Sequence, residues 1–274
     1  IMFMTFNNKY NCNPKYIAQK MHELHPEFEL VWVVGAKDKN AHVKFPPYIK
    51  TVNRGTYEAF YEMASSKFWV DNAISFFYFA NVPKKDNQVY INTWHGSLGF
   101  KKIGKDDVPN ERWKNAAIEC TANTTFCISN SDFETDVFRE THWPNGDIKM
   151  LGHARNDILI DTDPAFVRKM KKELARKYNF NPDAKICMYA PTFRDSMRVD
   201  CYDVDFTELK SALEEKFGGE WVIFRRLHFK NRSAKLPIPA SEKEFVKDAT
   251  AYDDMQETPS GRCRRRRRRC RSTG

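Results

Sequence analysis

Nowhere does the chain hold the run of roughly 20 apolar residues that a membrane-spanning helix needs; stretches such as Phe76-Phe77-Tyr78-Phe79-Ala80 are the longest, and a transmembrane helix is excluded. The chain opens at Ile1 rather than at a methionine, and no basic segment followed by an apolar run marks a secretory signal, so the natural start is expected upstream. The seven cysteines stand at 12, 120, 127, 187, 201, 263 and 270, with no C-x-x-C pair among them. That removes the spacing of zinc ribbons and redox motifs, and scattered reduced thiols are the plain reading over disulfides or a metal. Internal repeats are missing, and low complexity is confined to Arg262 to Arg271. Acidic residues are missing from 258 to 274, which holds eight arginines; the rest of the chain sets 37 basic side chains against 36 acidic ones. The net charge of +9 thus belongs to a tail and not to a fold.

What remains is globular. Of 274 residues, 41% are apolar and 14% aromatic, enough to build a hydrophobic core and too many for a disordered polypeptide. Glu29 to Val34, Lys67 to Asp71, Val89 to Trp94 and Thr125 to Ser129 read as buried strands, and helical spacing separates them, as in Pro14 to Leu24 and Asp132 to Thr141. The order is that of an α/β fold on a parallel sheet. It restarts after a boundary near residue 160, where Asp161-Thr162-Asp163-Pro164 supplies a helix start. A helix then places Phe166, Met170, Leu174 and Tyr178 on one face, a strand runs from Lys185 to Ala190, a helix from Asp205 to Phe217 and a strand from Glu220 to Arg225. Two Rossmann-like halves are expected, the second short and with only two clear strands, and any active site is expected in the cleft between them.

Three segments at strand ends carry chemistry. Asn92-Thr93-Trp94-His95-Gly96 puts His95 on a carboxyl end as a candidate general base, with Lys101 and Lys102 downstream as phosphate contacts; the bland reading is a histidine satisfied by a loop carbonyl. Pro191-Thr192-Phe193-Arg194-Asp195 offers a guanidinium suited to phosphate, and Phe224-Arg225-Arg226-Leu227-His228 adds Arg225 or Arg226 and His228 at the next strand end, against the alternative of surface arginines and a half-buried histidine. Gly99 to Lys105 has the glycine and lysine spacing of a nucleotide-binding P-loop, but Asp106 stands where a Ser or Thr would hold magnesium, and no strand directly precedes Gly99.

In order, Asn13-Pro14-Lys15, Trp94-His95-Gly96 with Lys101-Lys102-Ile103-Gly104, Gly152-His153-Ala154-Arg155-Asn156-Asp157, Pro191-Thr192-Phe193-Arg194-Asp195 and Arg226-Leu227-His228 resemble the motifs of the CDP-glycerol glycerophosphotransferase family, to which teichoic-acid primases and polymerases belong. The resemblance covers residues 1 to about 257. It implies a GT-B-like fold of two Rossmann-like domains, 1–160 on the acceptor side and 161–257 binding CDP-glycerol in partial form. It also implies transfer of glycerol phosphate from CDP-glycerol to an acceptor hydroxyl with release of CMP, in teichoic-acid or related cell-surface polymer synthesis. His95 corresponds to the base; Arg194 and His228, with Arg226, Lys101 and Lys102, correspond to substrate contacts. The partners implied are CDP-glycerol and a lipid-linked polyol phosphate at the cytoplasmic membrane face, with the enzyme peripheral to it and no specific nucleic acid. No cofactor or metal ligand set is implied beyond the donor, although a divalent cation is compatible with the chemistry.

One departure stands out. Where the family continues from a stretch like Tyr252 to Glu257 into a further strand and an Asp-Tyr-Ser-Ser motif gripping the donor phosphates, this chain turns into Thr258-Pro259-Ser260-Gly261-Arg262-Cys263 and six arginines. Residues 258–274 read as a disordered tail outside the native reading frame, and little or no transferase activity is expected of the chain as it stands. Two other readings are weighed beside this one: a binder of anionic polymer or nucleic acid acting through Arg264 to Arg269, and an inactive membrane-associated remnant whose helix from Phe166 to Tyr178 sets six basic residues against Glu173 alone.

Overall fold

The computed structural model describes residues 1–6, 8–36, 45–79, 82–96, 103, 110–160, 163–194, 202, 204–228, 231 and 236–252. The chain divides into two compact units, Ile1–Asp157 and Ile158–Gly274. The arginine tail, Lys101, Lys102 and Asp195 lie outside the described residues.

The first unit is a seven-stranded parallel sheet built from β1 (Met2–Met4), β2 (Leu30–Val34), β3 (Ile49–Asn53), β4 (Phe68–Asp71), β5 (Val89–Asn92), β6 (Phe126–Ser129) and β7 (Ile148–Met150), in the order β3-β2-β1-β4-β5-β6-β7. Its helices are α1 (Cys12–Leu24), α2 (Tyr57–Ser65), α3 (Ser75–Phe79), α4 (Glu111–Asn123) and α5 (Asp132–Thr141). Successive strand residues point to opposite faces, and both faces are covered: Met2, Met4, Val31, Val33 and Trp69 join one apolar layer, Phe3, Leu30, Trp32, Val34 and Val70 the other. A strand buried on both sides has no position to give to a polar residue, which is why Leu30–Val34 is an unbroken apolar run. The strand order reverses direction between β1 and β4, and the carboxyl ends on either side of such a point are where open parallel sheets bind ligands.

The second unit holds β8 (Lys185–Tyr189), β9 (Trp221–Arg225) and β10 (Val246–Asp248), all parallel in the order β10-β9-β8, with α6 (Pro164–Tyr178) and α7 (Phe206–Phe217). Asp163 caps α6, its carboxylate taking the N–H groups of Ala165 and Phe166, and Pro164 sits in the first turn where its missing N–H costs nothing. Asn179, in the left-handed region at φ 51°, ends that helix. The fold is α/β and GT-B-like, as expected. The third strand, β10, corrects the expectation of two strands in this half.

Candidate active site

His95 follows β5 directly and lies at the carboxyl end of the sheet. Its Nδ1 is 2.6 Å from the carbonyl of Asn72, the residue after β4. A carbonyl only accepts, so Nδ1 holds the hydrogen, and the neutral ring has its lone pair on Nε2. Phe6 and Trp94 pack against the imidazole, each with its ring centroid 4.8 Å away. Trp94 itself is in the left-handed region at φ 46°, a conformation strained for a bulky residue, and its N–H is held by Asn92 Oδ1 at 2.9 Å. Beneath it His142 is buried against the Trp94 and Trp143 rings, and burial, helped by the charge of His95, pushes its pKa down to about 4. Asp71 at the end of β4 is wholly buried; desolvation raises its pKa to about 6 even though the N–H groups of Ala73, Ser75 and Phe76 bond its carboxylate. Its work is to cap α3.

Behind His95 lies a buried polar network. Asn13 sits one residue into α1, after Cys12 at φ 60°, a second strained position next to a site residue. Asn13 Nδ2 reaches the carbonyls of Thr93 at 3.1 Å and Trp94 at 3.2 Å and also lies 3.2 Å from His153 Nδ1, while its Oδ1 accepts the N–H of Arg155. With an amide nitrogen facing Nδ1, the hydrogen of His153 is on Nε2, which donates to Glu134 Oε1 at 3.0 Å; the two side chains are 0% and 1% exposed. Glu134 is the third helical residue of α5, capped by Ser131, and its other oxygen takes the Asn130 N–H. Gly152, at φ 84°, makes the left-handed turn that delivers His153. Arg155 closes the circuit: Nη1 donates to the His95 carbonyl at 2.9 Å and contacts Cys12 Sγ at 3.4 Å. Strand ends β4, β5 and β7 and the start of α1 are thus bolted together around one imidazole.

In the second unit, Arg194 is exposed beyond β8, its Nη1 at 3.4 Å from the Phe193 carbonyl, and the loop is held by Tyr202, whose hydroxyl donates to the Thr192 carbonyl at 2.6 Å. His228 is half-buried after β9 and packs against Phe193 at 4.6 Å, so this contact joins the two expected strand ends. Arg225 is turned instead to Asp248 at 2.9 Å. Arg226 donates to the carbonyls of Ala249 and Tyr252, strapping the segment after β10 to β9. Among the described residues no group of three or more His, Cys, Asp or Glu side chains is placed to hold a metal ion.

Comparison with known proteins decides the family. The family model described as CDP-glycerol:poly(glycerophosphate) glycerophosphotransferase matches residues 1–259. The chain belongs to that family. Among curated family members, the teichoic acid poly(glycerol phosphate) polymerase of Staphylococcus epidermidis is 30% identical over 271 residues, covering 94% of this chain and 36% of the relative, and that of Bacillus subtilis is 28% identical, covering 94% and 34%. A teichoic acid ribitol-phosphate primase of Bacillus spizizenii is 28% identical over 62% of the chain and 43% of its own length. The solved wall teichoic acid polymerase TagF superposes with a TM-score of 0.73 at 27% identity, covering 93% of this chain and 62% of that one. The chain therefore spans about a third of the length of these two glycerol phosphate polymerases.

Against this family frame, His95 is brought together with Asn13, His153 and Arg155, residues whose motifs the sequence showed without a role for any of them. Glu134 and Asn72 were missed outright. Glu134 could have been found as the last member of a Ser-x-x-Glu cap, but nothing in the sequence tells that its second oxygen meets a histidine.

Proposed function

We propose that this glycerophosphotransferase family member moves glycerol phosphate from CDP-glycerol to the hydroxyl of a polyol phosphate acceptor, releasing CMP, in the synthesis of teichoic acid or a related cell-surface polymer. His95 is the base. The observation that carries the reading is the 2.6 Å bond from Nδ1 to the Asn72 carbonyl, which puts the hydrogen on Nδ1 and the basic lone pair of the ring on Nε2. The acceptor oxygen then forms a bond to the glycerol-bearing phosphorus, the bond from that phosphorus to the bridging oxygen breaks, and CMP leaves with the electron pair. Arg194 and His228 contact the donor diphosphate, where a guanidinium and an imidazole N–H offset the charge gathering on the leaving group. Arg226 serves the donor indirectly, through the segment that it straps to β9.

Glycerol is favoured over ribitol as the transferred polyol because the relatives matched over 94% of the chain are all glycerol phosphate enzymes, whereas the ribitol phosphate relatives are matched over 62% and 72%, as the glycerol phosphate primases are over 62% and 71%. A solved form of TagF with CDPG supports the donor class. The acceptor is lipid-linked and the protein works at the cytoplasmic membrane face, where α6 offers Arg168, Lys169, Lys172 and Arg176 to anionic lipid; among the described residues no helix is long and apolar enough to cross a membrane. The test is to restore after Glu257 the strand and Asp-Tyr-Ser-Ser segment that the family carries there, to supply CDP-glycerol or CDP-ribitol with a glycerol phosphate acceptor, and to follow CMP. Acceptor-dependent CMP from CDP-glycerol is expected. Release from neither donor, or from CDP-ribitol in preference, contradicts the reading.

A further inference from the structure

The carbonyls of Thr93, Trp94 and His95 are taken one after another by side chains from opposite ends of the first unit's chain. Asn13 Nδ2, on α1, lies 3.1 Å from the first and 3.2 Å from the second, and Arg155 Nη1, after β7, lies 2.9 Å from the third. A chain that leaves a strand into solvent needs no such help, because water serves its carbonyls. Here Thr93 and Trp94 are buried, so their carbonyls must find donors inside the protein. Trp94 also sits at φ 46°, which a bulky residue holds only where its surroundings impose it. The clamp is itself braced. Asn13 Oδ1 takes the Arg155 N–H at 3.2 Å, so the two clamping residues hold each other. His153 Nδ1 faces the same Asn13 amide, and Glu134 fixes the His153 tautomer in which Nδ1 accepts.

Both residues stand in sequence motifs, Asn13-Pro14-Lys15 and Gly152 to Asp157, to which the proton and phosphate contacts give no task. The direction of the His95 side chain follows from the backbone just before it. A rotation at Trp94 swings the ring off the Asn72 carbonyl, and the bond that fixes the hydrogen on Nδ1 is lost with it. We propose that Asn13 and Arg155 are positioning residues of the transfer: by holding the carbonyls of Thr93, Trp94 and His95 they keep Trp94 in its left-handed turn, and they thereby hold the His95 ring with Nδ1 on the Asn72 carbonyl and Nε2 bare. Both act through His95 and not on the substrate. The inference rests on His95 as the base of the transferase and adds what keeps that base in its working tautomer.

Two readouts test it. The first is nitrogen NMR of the full chain with labelled histidine, at a pH well above the usual imidazole pKa of about 6.5, with His95→Gln assigning the signals by removing them. Wild-type His95 should show a protonated Nδ1 and a bare Nε2. In Asn13→Ala and in Arg155→Ala the loosened ring should shift towards the Nε2–H form that free imidazole side chains prefer in water, and Arg155→Lys, which returns a cationic donor, should recover part of the wild-type signal. The second readout is CMP release by the chain restored after Glu257. Each alanine variant should turn over about 10- to 10²-fold more slowly, the loss that a misplacement of roughly 1 Å brings, with the KM for CDP-glycerol within about twofold of wild type. Added to His95→Ala, Asn13→Ala should slow release no further, because it acts only through a ring that is already gone. Circular dichroism checks that each variant is folded, and if Asn13→Ala is not, Arg155→Ala carries both readouts. A wild-type His95 protonated on Nε2, an unchanged tautomer in the folded variants, or losses that add in the double variant overturns the proposal. The transferase reading fails separately: no CMP from the restored chain, or a full rate in His95→Ala, refutes the reaction or its base, while the NMR signal still decides whether Asn13 and Arg155 hold the ring.

Discussion

Replacing His142 by Phe should change how the stability of the first unit responds to acid. His142 is 4% exposed, lies 4.6 Å from the Trp94 ring and 4.9 Å from the Trp143 ring, and its Nε2 has no partner. Burial, with the charge of His95 second, lowers its pKa from 6.5 to about 4. As pH falls below about 6.5 the unfolded chain takes up a proton that the folded chain refuses, so the stabilisation is complete above that pH and lost by about pH 4. Linkage gives a loss of about 2 kcal/mol between pH 7 and pH 5, and about 3 kcal/mol by pH 4. Phe keeps the aromatic volume and removes the titration. Asp71 works in the other direction: with its pKa raised to about 6, its contribution is complete below the usual carboxylate range and lost as pH rises through about 6. It is common to both proteins and cancels in their difference. The assay is urea unfolding at pH 7, 6 and 5, followed by tryptophan fluorescence, which reports chiefly on the first unit because Trp32, Trp69, Trp94, Trp113 and Trp143 all lie in it. The stability difference between wild type and variant should shift by about 2 kcal/mol in favour of the variant from pH 7 to pH 5. Parallel curves, with the difference constant across that range, would refute the claim that His142 is held neutral.

Three further outcomes follow from the same geometry. Glu134→Ala strips the buried His153 Nε2 of its acceptor and the part-buried Asn130 N–H of its own, and chemical denaturation should show a loss of about 3 kcal/mol. Gly152→Ala forces a side chain into a backbone at φ 84°, although nothing within 4 Å would meet the added carbon, so the cost is conformational, about 1–2 kcal/mol by the same measurement. Arg226→Ala frees the carbonyls of Ala249 and Tyr252, and hydrogen exchange should show faster opening around β10 with the first unit unchanged; unaltered exchange there would show that the strap bears no load.

The strands buried on both faces were legible in the sequence because their chemistry is uniform: Leu30–Val34, Phe68–Asp71 and Trp221–Arg225 lie within the stretches read as apolar runs. Helix α5 was legible from its spacing, and α6 from its start signal, Asp163 ahead of Pro164. The strands that escaped are short or mixed. Met2–Met4 leaves no room for a period, Ile49–Asn53 mixes buried and exposed positions without alternating, and Val246–Asp248 is a three-residue strand in which Lys247 and Asp248 are charged, paired to the edge of β9. His95 could be singled out from its place after a strand, since that position is a matter of chain order. The partners of His95 could not: Asn13 and His153 are 140 residues apart, and only the closing of the sheet brings them within 3.2 Å.

The account turns on the imidazole of His95, and one measurement reaches it directly. With enzyme in excess of CDP-glycerol and a glycerol phosphate oligomer as acceptor, the single-turnover rate of CMP release is compared between the chain restored after Glu257 with the family's strand and Asp-Tyr-Ser-Ser segment and the same chain carrying His95→Ala, with CDP-glycerol affinity measured on both. The expected result is a rate reduced by about 10² to 10⁴ with donor affinity retained, the range typical of losing a general base. A variant that releases CMP at the wild-type rate in the presence of acceptor would contradict the assignment of the base, and with it the reading of the site.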